Sequence, residues 1–134
     1  MAEAYLKKRV KEENLEIEMK SAGTLGYEGL SPTKEVLILL EEKKIDCNGY
    51  HSKALIPEAM EWADLILVME PKHRESIKSA VPGAEKKTKY LREFDETTDE
   101  IEIPDPIGRP LDIYKQVFDM IKKSIEGLII WIKK

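Results

Sequence analysis

The sequence has little of what would tie a chain to metals, membranes or nucleic acid. It has a single cysteine, Cys47, so no intramolecular disulfide can close, which fits a reducing, cytoplasmic setting. Its two histidines, His51 and His73, lie far apart and with one thiol offer no metal-ligand spacing, so neither a metal nor another cofactor is expected. The apolar run near the C-terminus, residues 128–132, falls far short of the ~20 residues that a bilayer span needs, and no membrane partner is expected. Lys and Arg (22) form no block and are outnumbered by Asp and Glu (26), for a net charge of -4, which argues against nucleic acid as a partner. Met1 leads directly into a polar, helix-forming run rather than a signal peptide.

What is present is the composition of a globular chain: 134 residues, 42% hydrophobic and 36% charged. There is no internal repeat and no linker, so residues 1–134 are expected to form a single domain. Residues 2–14 are rich in Ala, Leu, Lys and Glu, with Ala4, Leu6 and Val10 on one face, and predict a first helix. Leu15-Glu16-Ile17-Glu18-Met19-Lys20 alternates strictly and predicts a strand with one wet face at a sheet edge. Ser31-Pro32 reads as the N-cap and first turn of a second helix, with residues 36–40 as its buried side.

The chain then turns through Asn48-Gly49. A short helix over residues 57–63 precedes the apolar run 64–69, which has the character of a central parallel strand covered on both faces. Pro71 opens a helix that ends before Pro82-Gly83, and residues 88–91 predict a further short strand. Residues 94–110 are irregular and acidic, with prolines at 104, 106 and 110. A long helix over residues 111–131 carries Ile113, Val117, Ile121, Ile125 and Leu128 along one stripe. Trp62 and Trp131 read as core, and His73 as part of a solvated helix face. The fold class is α/β, a three-layer α/β/α domain with an open parallel sheet.

Several segments, in this order, resemble the low-molecular-weight protein tyrosine phosphatase family. Met1-Ala2-Glu3-Ala4 resembles the start of its first helix. Ser21-Ala22-Gly23-Thr24 resembles the exit of its second strand, and residues 63–69 its third strand. Asp105-Pro106-Ile107-Gly108 resembles its acid loop. With Leu111-Asp112-Ile113-Tyr114-Lys115-Gln116, that loop looks most like the bacterial branch that includes protein-arginine phosphatases. The resemblance implies a phosphatase that works through a phosphocysteine, without a metal, on a phosphorylated protein carrying phosphotyrosine or phosphoarginine. In the family the nucleophile sits in a C-x5-R-[ST] loop between the first strand and the first helix, and the present chain enters that pattern after the loop, at Met1. The expectation is therefore an N-terminally truncated member that lacks the first strand and the phosphate loop and is inactive as it stands, through a start-site effect or a real loss.

By resemblance, Asp105 is the general acid that protonates the leaving group and then the base that activates water. Pro104 and Pro106 would stiffen its loop. Ile107 stands where tyrosine-specific relatives carry an aromatic residue, and its aliphatic side chain would suit a slimmer group such as phosphoarginine; simple loop packing is the competing reading. Ser21 matches a serine that supports the phosphate loop, against the alternative of a polar residue closing a strand. Cys47-Asn48-Gly49-Tyr50-His51-Ser52-Lys53 has the spacing of a nucleophile loop, but it ends in lysine, whose point charge does not replace the bidentate fork of arginine. Cys47 reads as a lone thiol.

Two other functions compete. A pseudo-phosphatase or binding remnant would hold a partner without turnover. Arsenate reduction on this fold uses extra cysteines after the third strand, and residues 70–100 contain none. Because the family's first strand lies inside its sheet, these 134 residues alone are expected to be poorly stable, or to rearrange or associate.

Overall fold

The computed structural model describes residues 1–26, 28–47 and 49–134. Asn48, the first residue of the expected turn, lies outside them, while Gly49 adopts φ +81°, the left-handed conformation that glycine takes without strain. The elements are α1 (Ala2–Glu12), α2 (Lys34–Glu42), α3 (Pro57–Trp62), β1 (Ile66–Val68), α4 (Pro71–Ala80), β2 (Thr88–Tyr90) and α5 (Leu111–Ile132). Short 3-10 turns at Ala84–Lys87 and Leu91–Phe94 flank β2. β1 and β2 pair in parallel, Leu67 opposite Lys89, with α4 as the crossover. A second parallel bridge joins Gly23 to Ala54.

The alternation of β1 divides the interior. Leu65, Leu67 and Met69 border a large core built from α1, α2 and α5. Ile66 and Val68 face a smaller cluster with Met60 of α3, Ile77 of α4 and Ala84. β1 lies between two helical layers, which is why this run is continuously apolar, but among the described residues it pairs only with β2 and so is an edge strand and not the expected central one, with Val68 buried and Ile66 and Leu67 half-buried. The architecture is thus the expected α/β arrangement of helices on a parallel sheet.

α5 anchors the larger core. Val117, Ile121, Ile125 and Leu128 of the expected stripe are buried, joined by Tyr114, Phe118, Ser124 and Ile129. Arg9 of α1 donates through Nε to Glu126 of α5 at 2.8 Å, and the Tyr5 hydroxyl donates to the same carboxylate at 2.6 Å. Burial pushes the Tyr5 phenol up, and its hydrogen bond to Glu126 pushes it further. The Tyr5 ring meets Phe118 edge-on at 5.7 Å. No helix among the described residues is long and apolar enough to cross a membrane.

Several local expectations are corrected. Residues 15–20 keep the predicted alternation of half-buried and exposed side chains, but they form no strand, because no segment among the described residues completes a ladder with them. α2 starts later than Ser31: Thr33, at φ -66° and ψ 160°, is the N-cap, and its hydroxyl accepts from the Val36 N–H. Trp62 and Trp131 are 43% and 47% exposed. Lys20 lies 4.4 Å from the centre of the Trp62 ring, and Trp131 packs on Phe94, so both rings cover the core's margin rather than fill it. His73 is half-buried, its Nδ1 accepting from the Glu70 N–H at 3.3 Å at the start of α4.

Candidate active site

One candidate group lies at the N-terminal end of α1. Glu3, in the first turn, accepts the Ser21 hydroxyl and pairs with Lys7 at 3.2 Å. The Lys7 ammonium in turn lies 5.1 Å from the centre of the Tyr50 ring. Burial pushes the Tyr50 phenol up, against the opposing pull of Lys7. The loop that follows Ser21 is tied to residues 52–55. Gly23 donates to the Lys53 carbonyl and Gly29 to that of Ser52; Ser52 and Leu55 donate back to Leu30 and Gly23. These bonds hold the loop beside the open end of α1, where unpaired amides and the helix dipole favour an anion.

A second candidate group follows β1. Ile103 is buried, and its N–H donates to the Met69 carbonyl at 2.9 Å, fastening the acidic loop to the carboxyl end of the strand. In open α/β sheets ligands gather at that end. Pro106 is buried and anchors the loop, while Asp105 beside it is exposed. Asp105 Oδ1 accepts from the Ile107 N–H at 3.0 Å, an Asx turn that fixes the carboxylate's direction. Arg109 donates to the Pro106 carbonyl at 2.9 Å, Gly108 takes φ +78°, and Pro110 caps α5. Ile107 projects outward, 67% exposed.

The preceding acidic stretch is less irregular than its composition suggests. Arg92 Nη1 donates to Glu100 and to the Glu102 carbonyl, both at 2.8 Å. The buried Asp95 accepts from the N–H and hydroxyl of Thr97. Burial pushes the Asp95 carboxyl up, but the Thr97 bonds and the nearby Lys123 and Arg92 outweigh it and hold the group below the usual range. Sequence reasoning missed this brace, although Asp-x-Thr is a local signal for such a turn.

Ser21 and Asp105 therefore have different anchors, the first on α1 and the second on its own loop. Cys47 is half-buried against the large core, and His51 is exposed. Among the described residues, no group of three or more His, Cys, Asp or Glu side chains converges as a metal would require. The arrangement offers a carboxylate presented on a stiff loop and, apart from it, a helix N-terminus at which Glu3 holds both the Ser21 hydroxyl and the Lys7 ammonium.

Comparison with known proteins puts this geometry in a family. The profile of the Low molecular weight phosphotyrosine protein phosphatase family matches residues 1–134. A protein-arginine-phosphatase of Bacillus subtilis (strain 168) is 34% identical over 134 residues, covering 100% of this chain and 88% of that protein. The crystal structure of a YwlE mutant from Bacillus subtilis superposes with a TM-score of 0.89 at 32% identity, covering 99% of this chain and 88% of the other. A cysteine-to-serine mutant of the YwlE arginine phosphatase, with a phosphorylated active site serine, gives a TM-score of 0.91 at 32% identity over 99% of this chain and 86% of that one. The chain belongs to the low molecular weight phosphotyrosine protein phosphatase family and so to the protein phosphatase class of enzymes.

Proposed function

We propose that this protein phosphatase hydrolyses phosphoarginine in proteins, with phosphotyrosine as the second substrate class, through a phosphocysteine intermediate that Asp105 serves as acid and then base. The observation that carries the reading is the Asx turn at Asp105, which directs a carboxylate from a loop braced by a buried proline at the carboxyl end of β1. In the first step a thiolate forms an S–P bond as the P–N or P–O bond breaks, and Asp105 gives its proton to the leaving atom. In the second, Asp105 takes a proton from water, which attacks phosphorus and expels the thiolate.

Ile107 is read as the wall of the substrate pocket. Its aliphatic side chain supports the narrower guanidinium over an aromatic ring, as does the likeness to protein-arginine phosphatases. Ser21 is read as a support for the phosphate loop. The phosphorylated active site serine of the YwlE mutant supports a covalent route. Residues 1–134 are taken as one domain acting in the cytoplasm, a reading supported by the near-absence of cysteine.

These 134 residues contain Cys47 and no C-x5-R sequence. The thiolate and its arginine therefore have to come from residues outside them, and the 134-residue chain should not turn over by itself. Grafting the strand and C-x5-R loop of the Bacillus subtilis relative ahead of Met1 should give hydrolysis of p-nitrophenyl phosphate that persists in EDTA. Changing the grafted cysteine to serine should abolish it, and Asp105→Ala should lower it by about 10²–10⁴-fold. Full activity in the Asp105→Ala graft would sink the assignment. The lack of C-x5-R also favours a second reading, a partner-binding remnant, which predicts an inert graft. Arsenate reduction lacks its redox cysteines in residues 70–100.

A further inference from the structure

One peptide unit just upstream of Asp105 is gripped from both sides. Its carbonyl, that of Glu102, accepts from Arg92 Nη1 at 2.8 Å, and its N–H, that of Ile103, donates to the Met69 carbonyl at 2.9 Å. The two bonds leave opposite edges of one rigid plane, so together they fix its position and its tilt. Little between that plane and the Asp105 carboxylate can turn freely. The Ile103 side chain is buried, and its backbone is confined by the proline that follows. Pro104 has its φ locked by its ring, and Asp105 is confined in turn by Pro106. The Asx turn to the Ile107 N–H then fixes the carboxylate itself. An error in the plane of residues 102–103 is therefore carried to Asp105 and not absorbed on the way.

Of the two grips, that of Met69 is backbone, whereas that of Arg92 is a side chain standing on a firm base. Its turn, Leu91–Phe94, buries Leu91, and the Phe94 carbonyl lies so close to Gly127 of α5 that no Cβ would fit between them. The Arg92 side chain is 12% exposed, and its Nε is buried without a hydrogen-bond partner among the described residues. A buried donor left idle works against stability, so stability alone would not select an arginine here. What the arginine supplies is reach, from the turn docked on α5 to a carbonyl ten residues further along. We propose that Arg92 is a positioning residue, which through the peptide of residues 102–103 holds the Asp105 carboxylate where it meets the leaving atom and then the water. This role rests on the reading of Asp105 as acid and base. The Glu100 carboxylate shares the same Nη1 but is 75% exposed, so it adds little to the grip.

The test uses both the grafted enzyme and the 134-residue chain. Methionine keeps an aliphatic stem and has no donor. In the graft, Arg92→Met should lower kcat for p-nitrophenyl phosphate by about 10–100-fold with KM little changed. Its melting midpoint should stay within about 3 °C of the parent, because the idle Nε is removed along with the bond. In the Asp105→Ala background the same change should cost no more than about twofold, since no carboxylate is left to misplace. Glu100→Gln should leave kcat within about twofold of the parent. In the 134-residue chain, Arg92→Met should speed amide exchange at Ile103 by about tenfold or more, while the buried amides of α5 keep their rates. Full activity in Arg92→Met where Asp105→Ala is impaired overturns the proposal alone. So does an Arg92→Met loss that persists undiminished without Asp105, or an Ile103 amide whose exchange does not change. Full activity in both single variants overturns the reading of Asp105, and the role of Arg92 with it.

Discussion

Gly127 sits in the middle of α5, where intrinsic propensity favours alanine by roughly 0.8–1 kcal/mol. We predict that Gly127→Ala nevertheless destabilises the protein. A Cβ built on Gly127 would lie 2.7 Å from the carbonyl carbon of Phe94, with the carbonyl oxygen closer still. Ordinary contact between carbon atoms begins near 3.5 Å, so helix and turn would have to separate by about 1 Å or more. The obstacle is backbone, which cannot rotate aside as a side chain can. The turn it belongs to, Leu91–Phe94, carries the buried Leu91 and sets Phe94 edge-on to Trp131, ring centres 5.3 Å apart. Overpacking costs about 1–3 kcal/mol, and a backbone obstacle belongs at the upper end. Subtracting the propensity gain leaves a net loss of about 2 kcal/mol. For a chain of this length ~1 kcal/mol moves Tm by about 3–5 °C, so the expected drop is about 6–10 °C. Thermal and urea unfolding followed by circular dichroism measure it. A variant that melts at or above wild type would mean that propensity wins and the close approach does not exist.

Burial pushes the Glu126 carboxyl up, but hydrogen bonds from Arg9 and Tyr5 outweigh it and hold the group below its ordinary 4.5. A depressed carboxyl contributes its full stability above the unfolded value and loses it as pH falls through the folded one, so unfolding free energy should decline below about pH 4.5. Glu126→Gln should flatten that decline, as denaturant titrations at several pH values would show; the remainder belongs to Glu13, Glu85 and Asp95, which are also depressed. Because Glu126 is 39% exposed, the cost of that substitution near neutrality should not exceed ~1 kcal/mol. Tyr5→Phe should cost about 1 kcal/mol in wild type and much less in the Glu126→Gln background, a coupling that a double-mutant cycle detects. Thr33→Ala should cost ~0.5 kcal/mol, the low end for a cap whose bond to Val36 is 3.4 Å long, whereas Ser31→Ala should leave the unfolding midpoint unchanged.

The parts of the fold that were legible in the sequence are those set by local periodicity. The stripe on α5 and the apolar run that becomes β1 are each decided by their own residues and by one buried surface. Residues 15–20 show the limit of that reasoning: alternation fixes which side chains turn inward, but a strand also needs a partner, and partners come from distant sequence. The cap of α2 was misjudged because Ser-Pro is a good helix opening in isolation, while Thr33 is the residue whose hydroxyl reaches an orphan N–H. Trp62 and Trp131 are large enough to leave one edge wet while covering apolar neighbours. In the candidate site, the stiff loop around Asp105 follows from its flanking prolines, a local property. The partners of Ser21, Asp95 and Glu126 lie across turns or on other helices, and no spacing announces Glu3 as the acceptor for Ser21.

The fastening of α1 to α5 bears on how the molecule moves. Arg9 and Tyr5 meet on Glu126, and Lys133 reaches Glu13 at 3.0 Å, so the two helices are clamped at the far end of α1 as well as in its middle. They should behave as one stiff body, with amide exchange that slows together and approaches the rate set by global opening. On the proposed chemistry, any displacement of Asp105 toward or away from a reacting group then falls to residues 104–110, hinged at Gly108, and not to the helices. A loop of that length relaxes in nanoseconds to microseconds, far faster than turnovers of about 1–10³ per second. Bond breaking, and not the closing of a lid, would then set the pace.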